Sequence, residues 1–69
     1  MNLRFNVSDK VMHQEHGLCQ VYARVGDKFM GEIDADKILG NKHYIIGKDP
    51  IIKDNDHLFS VFDNELTPV

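Results

Sequence analysis

Phe5-Asn-Val-Ser-Asp-Lys-Val-Met-His-Gln-Glu-His-Gly-Leu-Cys-Gln-Val-Tyr-Ala-Arg-Val25 is the stretch that decides the fold. Two segments with alternating apolar residues flank a polar turn that ends in Gly17. The second is the clearest strand. From Leu18 to Val25, a period of two puts Cys19, Val21, Ala23 and Val25 on one face and Leu18, Gln20, Tyr22 and Arg24 on the other. The first set is small and apolar, as the interior of a tight barrel requires. His13 to Gly17 reads as a loop closing on Gly17, which takes positive φ without strain. Upstream, Leu3, Phe5 and Val7 alternate with Arg4, Asn6 and Ser8, which predicts a half-buried strand. Ser8-Asp9 reads as a bend, and Val11-Met12 as a resumed extended piece.

Downstream, Val25-Gly26-Asp27-Lys28 reads as a hairpin turn centred on Gly26-Asp27. A strand is expected from Lys28 to about Asp34, with Phe29, Gly31 and Ile33 on one face and Gly31 marking a bulge or close backbone approach. Over 34–40 the reading stays open. Asp34 or Asp36 can cap one helical turn that Gly40 ends, or the segment is a long loop. His43–Ile46 is a short strand broken by Gly47-Lys48-Asp49-Pro50. Ile51-Ile52 is a strand fragment or an apolar anchor, and Asp54-Asn55-Asp56 a turn. His57–Phe62 is the last good strand. Asp63–Leu66 reads as a 3₁₀ turn and Thr67-Pro68-Val69 as a terminal extension. Short strands separated by Gly, Asp and Pro turns give an all-β domain spanning 1–69, a small five-stranded antiparallel barrel or sandwich.

Composition narrows the function. The 69 residues are enough for one modest core, with which a deep enzyme pocket would compete. Eight basic residues stand against eleven acidic ones, for a net charge of −3. The signs are mixed, with no run of like charge that would mark an interaction tail. A nucleic-acid binder usually shows a basic patch, because phosphate neutralisation dominates its affinity. Arg4, Lys10, Arg24 and Lys28 can form one only in three dimensions. A single cysteine, Cys19, excludes an intrachain disulfide and fits a reducing compartment. No apolar run approaches the ~20 residues of a membrane span, and the first residues do not read as a secretory signal, so a cytoplasmic protein is expected, with no membrane contact.

The opening stretch resembles that of SH3-like and Tudor-like small barrels. In particular it is similar to the polymerase-interacting domain of the CarD and transcription-repair coupling factor family, which begins Phe-x-Val-Gly-Asp-x-Val-x-His/Tyr-x-x-His-Gly-x-Gly-x-Val. Phe5, Val7, Asp9, Val11, His13, His16, Gly17 and Val21 match that pattern. Ser8 stands where the family has glycine, and Cys19 where it has a second. Phe62 to Val69 resembles the closing turn and last strand of many such barrels. The resemblance implies an SH3-like fold, a bacterial setting and binding of RNA polymerase through an exposed strand edge.

Several residues invite a chemical reading. His13, His16 and Cys19 form His-x-x-His-x-x-Cys. Zinc accepts both ligand types, but a structural site needs four, so His43 or His57 would have to join. The plainer reading is two histidines on a turn and a small core cysteine that the strand phase points inward. Cys19 with a histidine base is a nucleophile pair only if something lowers the thiol pKa, and no such group is evident. Glu32, Asp34 and Asp36 read as a solvated acidic face. Phe5, Phe29, Phe59 and Phe62 are mostly needed for the core. Tyr22 and Tyr44 are then the expected surface aromatics, too few for a proline-rich groove or a methyl-lysine cage. The expectation is a non-catalytic binding module without cofactor or metal. A protein partner would engage an exposed strand edge or the 13–17 loop, with His13, His16, Gly17, Tyr22 and Arg24 as binding residues. A homo-oligomer joined through edge strands is a further expectation. Nucleic-acid binding on the face carrying Tyr22 and Arg24 is the alternative, and a metal or thiol protein the second alternative.

Overall fold

The structure is a computed structural model that describes residues 3–29, 33–48 and 58–69. It is mostly β. Strands β1 (Lys10–His13), β2 (Gly17–Arg24), β3 (Lys28–Phe29) and β4 (Ile33–Asp34) are followed by a short helix α1 (Ala35–Leu39). Strands β5 (Tyr44–Lys48) and β6 (Leu58–Val61), a 3₁₀ turn (Asp63–Glu65) and β7 (Leu66–Pro68) complete the order. Five strands form one antiparallel sheet in the order β6-β5-β2-β1-β7, and β3 and β4 form a separate ribbon. No ladder joins β6 to β7 among the described residues, so both stand as edges of the sheet.

The decisive stretch forms a hairpin. β1 pairs with β2 from Lys10↔Gln20 to His13↔Gly17, around the three-residue loop Gln14–His16. Such loops need a left-handed residue at their end, and Gly17 supplies it with φ of 77°. Cys19 and Val21 point inward and are buried, as the alternation predicts. They join Phe5, Val11, Tyr44, Ile46, Val61 and Leu66 in the main core.

A bulge between Val21 and Ala23 redirects the end of β2. Ala23 is buried, but in a second small core with Ala35, Leu39 and Ile45, against which Tyr22 and Leu58 pack. Side chains alternate along a strand, so Ile45 faces this second core while Tyr44 and Ile46 face the first. β5 is therefore buried on both faces. The inward face expected for Cys19 to Val25 thus serves two cores, and Val25 itself is exposed in the turn.

Other expectations are corrected. The strand expected over Leu3–Val7 is absent: Phe5 is buried but Val7 is exposed. Asn6–Asp9 is instead a turn closed by Asp9 N–H donating to the Asn6 carbonyl at 3.0 Å, and Asn6 N–H donates to Asp9 Oδ2 at 2.8 Å. The turn docks on β2 through Ser8 N–H to Val21 O and Val21 N–H to Asp9 O, both 2.9 Å. The next turn is centred one residue earlier than expected, with Asp27 N–H donating to Arg24 O at 3.0 Å and Gly26 at φ 90°. It does not close a ladder between β2 and β3. Lys28 pairs with Asp34 and Phe29 with Ile33, so the chain doubles back where one continuous strand was expected. Gly31 and the Ile51–Asp56 segment lie outside the described residues. The helical alternative holds over 35–39, although Asp34 makes no side-chain cap. β5 continues through Gly47 and Lys48 rather than breaking there. The terminal extension is the edge strand β7, paired with β1.

Ser8 carries a testable cost. Its φ of 78° is the left-handed value that position i+2 of a type II turn demands and that favours glycine. Ser8→Gly relieves that strain and keeps the backbone bonds, while making the unfolded chain more flexible. A net gain of roughly 0.5 kcal/mol is expected, a rise of about 3 °C in a thermal melt. An unchanged or lower melting temperature would show that the turn holds Ser8 without strain.

Candidate functional site

The hairpin end of the sheet collects the most chemistry. His13 closes β1 and is 3% exposed. Its ring faces back over the loop it precedes, so Nδ1 accepts the backbone N–H of Glu15 at 3.0 Å and of His16 at 3.2 Å. Two donors on Nδ1 require an unprotonated nitrogen there, so the ring proton sits on Nε2. Nε2 meets Glu65 Oε1 at 3.2 Å. Glu65 is fixed in turn by the 3₁₀ geometry, its Oε2 accepting Phe62 N–H at 2.6 Å. That backbone donor, more than any other group, holds the Glu65 carboxyl below the ordinary glutamate range; burial opposes it, and His13 and Lys42 assist. His16 stacks on His13 with centroids 4.6 Å apart and on Phe59 at 3.6 Å. Lys48 Nζ donates to the His16 carbonyl at 2.6 Å.

A second polar cluster centres on Asp63. Tyr44, expected at the surface, is fully buried. Its polar tip can be buried because it is satisfied: the hydroxyl donates to Asp63 Oδ2 at 2.5 Å and accepts Phe5 N–H at 3.2 Å. Arg4 reaches the same carboxylate through Nε at 2.6 Å and its backbone N–H at 3.1 Å, while Nη2 donates to the carbonyls of Asp63 and Leu66, each at 2.7 Å. His43 Nδ1 accepts Asp63 N–H at 2.8 Å. Burial, and after it the bond to Asp63, push the Tyr44 phenol from 10.0 up to about 12. The folded state thus holds that proton more tightly than the unfolded chain. The stabilisation it brings is complete below pH 10 and is lost as pH rises towards about 12. Urea denaturation at stepped pH should show a steeper fall over that range for the wild type than for Tyr44→Phe. Parallel curves would place the phenol in solvent.

The five residues singled out from sequence divide into two groups. His13, His16 and Gly17 meet at the hairpin end, with His13 inside rather than on the surface. Tyr22 and Arg24 lie at the other end of β2, roughly 20 Å away by strand rise. Tyr22 is half-buried on the second core. Arg24 is engaged by Asp27 Oδ2 at 3.2 Å and Asn6 Oδ1 at 2.9 Å. Arg4 and Arg24, two members of the basic patch, thus act as internal staples.

Cys19 is fully buried in the main core, away from the turn. Both ring nitrogens of His13 are engaged by protein groups. Among the described residues no three His, Cys, Asp or Glu side chains are placed to share a metal ion; His57 and Glu32 lie outside them. Asp36 accepts the Gly26 N–H, and both Asp34 and Asp36 are exposed.

Glu65, Phe59, Asp63 and Lys48 were not singled out from sequence. Glu65 alone left a signal, a glutamate three residues after the residue whose N–H it caps. The outer face of the hairpin carries a cross-strand pair, Met12 opposite Leu18, exposed by 41% and 40%, with Thr67 of β7 beside Met12. No described helix is long and apolar enough to cross a membrane. No family model, curated protein or solved structure matches the chain.

Proposed function

We propose that this protein is a small non-catalytic binding module of SH3-like architecture. It engages a protein partner through the outer face of the β1–β2 hairpin and the adjoining β7 edge. The observation that carries the reading is the Met12–Leu18 pair. Single exposed apolar residues are ordinary, but these two are cross-strand neighbours. They stand directly below the 14–16 loop, and Met12 lies on β1, next to the edge strand β7. An extended segment added at such an edge gains backbone hydrogen bonds, with apolar side chains giving selectivity. The CarD-like opening names RNA polymerase as the partner to test first, and a cytoplasmic place goes with it. The staples at Arg4 and Arg24 favour a protein over a nucleic acid.

The test is capture of RNA polymerase from a bacterial lysate by wild-type protein and by Met12→Lys/Leu18→Lys. Both side chains are exposed, so the double variant should keep its fold by circular dichroism while losing capture. Equal capture by both proteins would remove the hairpin face from the reading. A shifted DNA band at physiological salt that disappears in Arg24→Glu would replace the reading with nucleic-acid binding. Sedimentation of the wild type as a dimer that Met12→Lys/Leu18→Lys dissolves would assign the same face to a second copy.

A further inference from the structure

We infer that His13 is a proton-operated latch on the Gln14–His16 loop: a second proton on its ring releases the loop while the ring stays anchored to Glu65. The two ring nitrogens have opposite duties. Nδ1 accepts the N–H groups of Glu15 and His16, and Nε2–H faces Glu65 Oε1. A proton added at Nδ1 turns the acceptor that two amides share into a donor aimed at them. The same proton makes the contact with Glu65 a charge-assisted one, which is stronger. Protonation therefore does not eject the ring. It keeps the β1 end tied to the 3₁₀ turn and cuts the tie to the loop.

The groups around the ring set the direction. On the 3₁₀ turn Glu65 faces Nε2, with Lys42 adding its charge beside that carboxylate. On the loop, His16 stacks against the ring face and Glu15 contributes its backbone. On β5, Lys48 grips the loop through the His16 carbonyl. From β6 comes Phe59, uncharged and stacked on His16. The carboxylate that welcomes a positive ring thus sits on the Nε2 side. On the Nδ1 side, the described partners are two amide donors, which a new N–H can only oppose. Release loosens the loop next to the Met12–Leu18 pair, but the latch does not depend on the binding reading, because the loop itself is the readout.

The experiment is a pH titration of uniformly ¹⁵N-labelled protein, following the His13 ring nitrogens and the Glu15 and His16 amides together. At neutral ring charge the Nε2–H tautomer is expected. As the ring takes its second proton, the two amides should lose hydrogen-exchange protection by roughly tenfold or more, the scale of one lost backbone bond. Val11 and Val21 should hold theirs. His13→Asn offers a carbonyl acceptor near the Nδ1 position without a titrating ring, and should keep both amides protected throughout. An Nδ1–H tautomer at neutral charge, or amides that stay protected through the His13 titration, would overturn the latch. Should His13→Asn fail to fold, the wild-type titration decides alone.

Discussion

Val21→Asp is expected to leave no folded protein at 25 °C. Val21 is 1% exposed in the main core, and its backbone is held on both sides by Ser8 and Asp9. The side chain therefore cannot swing to solvent without tearing the Asn6–Asp9 turn from β2. A domain of this length has only about 3–10 kcal/mol of stability at the usual per-residue value. An unpaired carboxylate there must stay charged in an apolar site or take up a proton, and either route costs several kcal/mol. The lost valine packing adds about 2 kcal/mol more. Circular dichroism and a thermal melt decide the matter. A variant with an unchanged transition would mean that the inward face of β2 is the one carrying Gln20.

Asp63→Ala should be the most damaging polar substitution, costing about 2–3 kcal/mol. It strips the buried Tyr44 hydroxyl of its acceptor and removes the Arg4 bonds from Nε and the backbone N–H, leaving those from Nη2 to the carbonyls of residue 63 and Leu66. Arg4 is half exposed, so solvent screens its share, and most of the loss comes from the phenol. The melting temperature should fall by roughly 10–20 °C. The variant should also reshape the acid limb. Burial pushes the Asp63 pKa upward, but the bonds from Tyr44 and Arg4 outweigh it and hold the carboxyl below its ordinary 3.8. A depressed pKa stabilises fully above that value and less as pH falls through the folded one. Asp63→Ala should lack this loss, while Glu65 keeps its own below 4.5. A melting temperature within about 2 °C of wild type would show that the cluster contributes nothing net.

The hairpin was legible because its signals are local. Alternation placed Cys19 and Val21, and Gly17 marked the turn. Alternation misled at Leu3–Val7: Ser8-Asp9 marked the bend, but the turn already begins at Asn6, and its left-handed position carries serine instead of glycine. The bulge at Val21–Ala23 has no glycine to announce it, and without it the second core under α1 could not be foreseen. The reversal between Phe29 and Ile33 was hidden because the apolar alternation of a single strand runs through both arms in the sequence. Tyr44 was placed outside because its acceptor lies 19 residues away, and Arg4 meets Asp63 across 59. No window of sequence holds both partners of either bond.

The pairing of β1 with β7 has a bearing on synthesis. Met12 and Thr67 are bonded across 55 residues, so the sheet cannot be completed until nearly the whole of this stretch has left the ribosome. Until then Phe5 and Val11 lack Leu66, their partner in the core. Sheets built on such distant contacts fold slowly. A nascent chain that has released β1 and β2 but not yet β7 thus carries an uncovered apolar face, the kind of surface that invites aggregation until the last strand docks.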